Sequence, residues 1–309
     1  MQRFLVSRFL QALAVLWVVA TLTFVLMRLV PGGPFDRERR LPPEVLANIA
    51  AKYRLDDPLP VQYVRYLTDL VRGNLGLSYK YVDRTVNMIV ADTLPVSAFL
   101  GLSALVFALV ISFPLALWAA SRPNTWADRL ALLLATLGLS IPNFVLGALL
   151  MWFFSLQLGW LRSGSWGSPA SVILPTITLG AAPAAYLSYL LRSTLIENLG
   201  EDFVRTARAK GLSEAAVLFK HALRNSLIPV LTVLGPLVAT LLTGSFVVEY
   251  VFAIPGMGRF YITSVTDRDY PMIMGVTMVY TALLVCANLV VDLLYSLIDP
   301  RIKVHHGAD

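Results

Sequence analysis

The chain has 309 residues, 57% hydrophobic and 14% charged, with a formal net charge of +6 and a mean hydropathy of +0.69. Soluble domains carry about 25% charged residues, so this composition excludes an ordinary soluble domain and places the chain in a bilayer. No basic stripe interleaved with aromatics accompanies the positive excess, which excludes nucleic acid as a partner and retains membrane lipid.

A helix needs about 20 residues to cross the hydrocarbon core. Six apolar segments meet that length, near residues 9–30, 96–120, 130–158, 172–194, 227–253 and 273–298. Arg3 and Arg8 give the first the basic start of a signal peptide, but its apolar run is too long and no small-residue cleavage site follows. It is read as a retained span. With both termini cytoplasmic, Arg122, Arg129, Arg192, Arg205, Arg208, Lys210, Lys220, Arg224, Arg301 and Lys303 all fall inside, whereas the opposite short loops offer only Arg162, Arg259 and Arg268.

Residues 31–95 form the one long loop, expected outside as a small folded cap. Pro42 and Pro43 open a predicted helix with Leu46, Ile49 and Tyr53 at one-face spacing, and Val61, Val64, Leu67 and Val71 mark a second that ends at Gly73. This cap either contacts a substrate-delivering protein or merely covers the outer ends of the spans. Amphipathicity indicates that a face is buried and not what buries it.

Inside the spans, helix breakers and small polar residues single themselves out. Ser140, Pro142 and Asn143 interrupt the third span, and Thr240, Thr243, Gly244 and Ser245 follow roughly helical spacing in the fifth. Together with Glu249, the residues Ser140, Asn143, Thr240, Thr243 and Ser245 are the candidate translocation pathway; close helix packing is the competing role. Glu249, toward the outer end of the fifth span, and Asp292, toward the inner end of the sixth, either face a wet cavity or serve a structural pair. Arg28 and Arg192 are read as snorkelling to headgroups from span ends. The single Cys286 is read as a small core residue, unable to form an internal disulfide. The external turn at residues 253–259, Ala-Ile-Pro-Gly-Met-Gly-Arg, is dense in turn formers, and its glycines allow close approach to a neighbour.

The segment at residues 201–229, EDFVRTARAKGLSEAAVLFKHALRNSLIP, carries far more charge than the apolar runs on either side. Two amphipathic halves, 201–210 and 213–224, meet at Gly211, which can take the left-handed backbone angle that ends one helix and begins the next. Ser213 can cap the second half. A compact, basic helix-turn-helix between two spans is a rigid handle offered to the cytoplasm.

This segment resembles the cytoplasmic coupling loop of ABC importer permeases, whose pattern is Glu-Ala-Ala, three residues, Gly, and later Leu-Pro. Here Arg205, Thr206 and Ala207 stand at its start and Gly211 follows; the glutamate and first alanine are replaced. The run Thr-Ala-Arg-Ala-Lys-Gly-Leu, with His221, Ala222, Leu223, Arg224, Asn225 and Pro229 after it, is similar to the peptide-uptake branch. Residues 31–33, 41–44, 73–79, 255–258 and 268–271 extend the resemblance to the first permease subunit of oligopeptide transporters along essentially the whole chain.

The resemblance implies an all-α fold of six transmembrane helices of the type I ABC importer kind. It implies a cytoplasmic N-terminus and first span at 1–30, an extracytoplasmic loop at 31–95, and a core permease domain at 96–309 with its coupling loop at 197–226. ATPase coupling would fall to Arg205, Thr206, Ala207, Arg208, Lys210, Gly211 and Leu212. The implied partners are a second homologous permease subunit, two ATP-binding subunits, an extracytoplasmic peptide-binding protein and the peptide itself. ATP and Mg would be used by the partner subunits, with no cofactor or metal bound by this chain.

An enzyme reading finds little chemistry. No Gly-x-x-x-x-Gly-Lys-Ser/Thr loop is present, and His221, His305 and His306 lack the spacing of a helix-borne metal site. Gly244 and Ser245 have no histidine in a predicted span to make a protease. A secondary transporter would need a proton relay or ion ligands in series, which the sequence does not display. Dipeptides, nickel chelates and other peptide-like solutes remain alternative substrates within the ABC reading.

Overall fold

The structure, a computed structural model, describes residues 2–30, 53–161, 164, 166–242 and 246–298, with side chains between residues 6 and 290 of those ranges. Five helical runs are long and apolar enough to cross a membrane, Val6–Leu29, Val86–Ala120, Pro169–Gly200, Glu214–Val251 and Tyr270–Val290. A sixth candidate is broken: Trp126–Ser140 and Asn143–Gln157 meet at an angle of 105°. Pro142 causes the break, since it has no N–H for the Gly138 carbonyl and drives Ile141 to an extended ψ of 119°.

In chain order the helices are α1 (Gln2–Leu29), α2 (Leu59–Val71), α3 (Val86–Ala120), α4 (Trp126–Ser140) and α5 (Asn143–Leu150), which passes into a π-helical stretch, Met151–Gln157. Then come α6 (Pro169–Gly200), α7 (Asp202–Ala209), the short α8 (Glu214–Ala216) with a second π-helical stretch, Val217–Ala222, and α9 (Leu223–Leu242). The remaining helices are α10 (Phe246–Val251), α11 (Met257–Asp267) and α12 (Tyr270–Ile298). Chain contacts divide the protein into one unit of residues 1–96 and 255–285 and another of residues 97–254 and 286–309.

In the first unit, α2 packs on α1 through aromatic rings. Phe24 stacks on Tyr66 at 5.9 Å and meets Tyr63 edge-on at 5.3 Å, and the Tyr63 hydroxyl lies 2.7 Å from Thr21 Oγ1. Arg28 does not snorkel: its Nη2 donates to Gln62 Oε1 at 2.7 Å, and its guanidinium lies 4.5 Å from the Phe24 ring centre. The helix predicted from Val61, Val64, Leu67 and Val71 exists, but its packed face is a different one. Val64 is 62% exposed and Val71 90% exposed, because the larger Tyr63 and Tyr66 take the inner side. The helix predicted from Pro42 lies outside the described residues.

Helix α3 begins ten residues before the predicted span at 96, with Thr85 Oγ1 accepting from Met88 N at 3.2 Å. At about 1.5 Å per residue its 35 residues span roughly 52 Å, more than the hydrocarbon core of about 30 Å. Cys286 is exposed on α12 and not a core residue.

In the second unit, Leu100, Ala104, Ala108, Ser112, Ala116 and Ala120 recur at every fourth position of α3 and are all buried. Ala108, Ala116 and Ala120 join Ala184, Leu187, Leu191 and Leu195 of α6 in one core. Lipid tails are as apolar as leucine, so such a seam holds by close packing and not by expulsion of water. Pro175 and Pro183 lie inside α6, and Pro229 and Pro236 inside α9. Threonine hydroxyls on both helices bond back to the chain, from Thr178 to the Leu174 carbonyl and from Thr240 to that of Pro236, each at 2.8 Å.

Candidate coupling site and transport pathway

The charged segment folds as a helix, a glycine turn and a second helix. Gly211 has φ of +79°; its N–H bonds to the Arg208 carbonyl at 2.9 Å and that of Leu212 to the Ala207 carbonyl at 3.3 Å. This paired pattern is a Schellman stop, which requires a left-handed residue at its centre. Two residues later Ser213 takes an extended backbone and accepts from Ala216 N at 3.4 Å, starting the next helix. The second half does not end at residue 224. It runs on through the π-helical stretch into α9, since no proline or glycine intervenes before Pro229.

Val204, Ala207 and Val217 are buried in a small core with Leu199 against them, which fixes the two halves to each other. Across the turn Arg208 forms a two-pronged ion pair with Glu214, Nε to Oε1 at 2.9 Å and Nη2 to Oε2 at 3.1 Å. Arg205 pairs with Asp202 at 3.1 Å, and Thr206 Oγ1 donates to the Asp202 carbonyl at 3.0 Å. Of the seven residues assigned to coupling, Ala207 packs inward, and Arg205, Thr206, Arg208, Lys210, Gly211 and Leu212 are exposed. Phe203 and Phe219 add exposed rings to the element. The arrangement is a stiff projection with apolar and basic groups on its surface.

Its base is tied to the membrane helices. Asn198 Nδ2 donates to Ser226 Oγ at 3.0 Å, and Thr194 Oγ1 donates to the Ser226 carbonyl at 3.3 Å, joining the end of α6 to the start of α9. Only Glu201 separates α6 from α7. Displacement of the projection therefore has no flexible linker in which to dissipate.

The pathway candidates are placed unevenly. Ser140 and Asn143 flank the bend between α4 and α5, with Ser140 exposed and Asn143 half-buried. Thr240 is exposed on α9, Glu249 is buried in α10, and α10 packs on α5. Thr243 and Ser245 lie outside the described residues, as does the Asp292 side chain. In the turn after α10 the left-handed residue is Ala253, at φ of +52°, while Gly256 takes an extended backbone at the start of α11. The glycines are not what makes that turn.

Besides the Arg28–Gln62 contact, three further joints lie beyond sequence reading. Arg192 does not snorkel: it forms a forked ion pair with Asp128 of α4, Nη2 to Oδ2 at 2.7 Å. The Asn198–Ser226 tie is the second. The third is Asp269, whose buried carboxylate accepts from the Ser78 hydroxyl. These partners stand 64, 28 and 191 residues apart, so no local pattern signals them.

A family of binding-protein-dependent transport system inner membrane components matches residues 112–304, and the N-terminal part of such membrane components matches residues 1–101. The chain belongs to that family. This permease is 46% identical over 305 residues to the dipeptide transport system permease protein of Bacillus subtilis, covering 99% of each chain. It is 42% identical to the oligopeptide transport system permease protein of Haemophilus influenzae and 41% identical to that of Escherichia coli K12, covering 98% of this chain and 100% of each relative. Among solved structures, an amino acid ABC transporter crystallised with histidines matches with a TM-score of 0.54 at 18% identity. The match covers 67% of the permease and 93% of that chain, and shows a shared all-helical membrane fold.

Proposed function

We propose that the permease forms half of the translocation pathway of an ATP-driven oligopeptide importer. A second homologous permease subunit completes the pathway, two ATP-binding subunits dock on the cytoplasmic side, and an extracytoplasmic protein delivers the peptide. ATP and Mg are bound and used by the ATP-binding subunits, so the permease is not itself an enzyme. Both termini lie in the cytoplasm, in keeping with the bias of Lys and Arg in the short loops.

The observation that carries this reading is the Gly211-centred projection, rigid within itself and continuous with α6 and α9. Closure of the ATPase dimer pushes the exposed face of α7 and α8, and the helices rooted there rock so that the cavity changes sides. Ser140, Asn143, Thr240, Thr243, Ser245 and Glu249 are the proposed wall, whose few fixed charges suit peptides of varied side chains. Relatives named for oligopeptide transport support the substrate class.

Reconstitution tests it. The permease with its second permease, ATPases and binding protein in proteoliposomes should import a labelled peptide only with ATP, and should continue when the proton gradient is collapsed. Sustained peptide accumulation by the permease alone, driven by an ion gradient without ATP, would falsify the reading. The relative named for dipeptide transport favours dipeptides as a second reading. Competition between dipeptides and pentapeptides for the labelled substrate separates the two.

A further inference from the structure

We propose that Asp128 and Arg192 are positioning residues that make α4 and α6 move as one body, carrying displacement of the coupling projection to the bend at Ile141 and Pro142. The inference rests on the transport reading above and adds the route of the motion within this chain.

The two helices are joined at two separated points. At one end the Arg192 guanidinium grips both carboxylate oxygens of Asp128, Nε on Oδ1 and Nη2 on Oδ2, the latter at 2.7 Å. The Asn124 backbone N–H donates to the same Oδ2 at 2.8 Å, so the carboxylate is held from both its helix and the preceding loop. The Asp128 side chain is 3% exposed and that of Arg192 16% exposed. A buried fork of this kind is rigid, because parting it leaves charge without a partner in a poor solvent.

At the other end, a Cβ on Gly138 would fall 2.8 Å from Ala185 Cβ, so the helices touch there through backbone. Asp128 and Gly138 lie ten residues apart on α4, about 15 Å along the axis. Arg192 and Ala185 are spaced in the opposite direction on α6. Two fixed points at that distance remove both sliding and pivoting between antiparallel helices.

Helix α6 is driven directly, since it enters the projection through Glu201 and is tied to α9 by Asn198 and Ser226. Helix α4 has no hydrogen bond to the projection among the described residues; it follows α3 through the turn at residues 121–125 and packs on α6. The fork fastens α4 to the driven helix α6 at the end nearest the projection, and the far end of α4 is the 105° bend where Ser140 and Asn143 stand. The Asp128–Arg192 fork is thus a joint that carries a cytoplasmic push from α6 to those pathway candidates.

The test uses the complete transporter in proteoliposomes and reads peptide imported per ATP hydrolysed. That ratio does not depend on how much complex assembles, because loss of folded complex lowers both rates together. Arg192→Lys keeps the charge and removes the fork. The double substitution Asp128→Asn with Arg192→Met removes both charges and restores a neutral, filled site. Both should assemble and hydrolyse ATP in the presence of loaded binding protein, with the ratio lowered about fivefold or more. A wild-type ratio in the assembled double variant would overturn the proposal, and so would failure of both variants to assemble, which would make the pair a folding determinant only. No ATP-driven uptake by the wild-type complex would instead sink the transport reading, and this inference with it.

Discussion

The Ser78 hydroxyl donates to the carboxylate of Asp269, 191 residues further along the chain. The same carboxylate accepts from the backbone of Tyr79 at 3.1 Å, Lys80 at 3.4 Å and Met272 at 3.3 Å. Ser78 Oγ in turn accepts from Lys80 N at 3.1 Å and Tyr81 N at 2.9 Å, so one buried acid orders the turn after α2 and caps the start of α12. Removing it strands several donors together, each a desolvation cost of about 1–3 kcal/mol.

Asp269→Ala should therefore destabilise the first unit by about 2–4 kcal/mol. Thermal unfolding in detergent should fall by several degrees, with faster proteolysis between residues 73 and 85. Asp269→Asn, which keeps one acceptor oxygen, should lose less. Equal stability of wild type and Asp269→Ala would show that these donors find other partners.

Gly211→Val should leave the permease inserted and assembled but uncouple ATP hydrolysis from uptake. An added Cβ at Gly211 meets nothing within 4 Å, so the penalty comes from φ of +79° and not from crowding. A β-branched residue held there costs about 1–3 kcal/mol and unwinds the stop between the two halves. Gly211→Asn, which tolerates left-handed angles, should retain most transport. Normal uptake per ATP by Gly211→Val would count against the turn as a transmitter.

Alkaline pH should weaken the first unit. Burial raises the Tyr79 hydroxyl from the ordinary 10.0 to about 12, against the opposing pull of Arg28. The folded state favours the neutral phenol, so its contribution is fully present below pH 10 and is lost as pH rises to about 12. The loss amounts to roughly 2–3 kcal/mol at its end. Tyr79→Phe has no proton to lose and should show a shallower decline across that window by unfolding in detergent. Identical profiles would place Tyr79 in water.

Topology can be read by labelling. In a Cys286→Ser background, needed because Cys286 is exposed, Asp56→Cys should react with a membrane-impermeant thiol reagent applied from outside. Ser213→Cys should react only after the inner face is opened. The reverse pattern would place the coupling projection outside the cell.

Much of this was legible from local sequence. Gly211 and Ser213 announce the turn and the cap because both effects depend on a few adjacent residues. Pro142 announces the broken span for the same reason. The inward face of α2 is not legible in this way, since Val61 and Val64 have the right spacing, yet Tyr63 and Tyr66 offer more contact area to Phe24. Sequence sends Arg28 and Arg192 to the headgroups because their partners, Gln62 and Asp128, come near only once the helices have packed. The start of α3 is read late because an apolar run marks only the part of a helix that crosses the hydrocarbon core, whereas this helix begins at Val86 and runs through the polar Asn87, Asp92 and Thr93.

The four-residue recurrence of Ala104, Ala108, Ser112, Ala116 and Ala120 gives α3 a nearly smooth flank. Helix α6 answers it with Gly180, where an added Cβ would fall 2.8 Å from the Ala104 carbonyl oxygen, so the two backbones run too close for any larger side chain and a bulkier residue at Gly180 would wedge the helices apart.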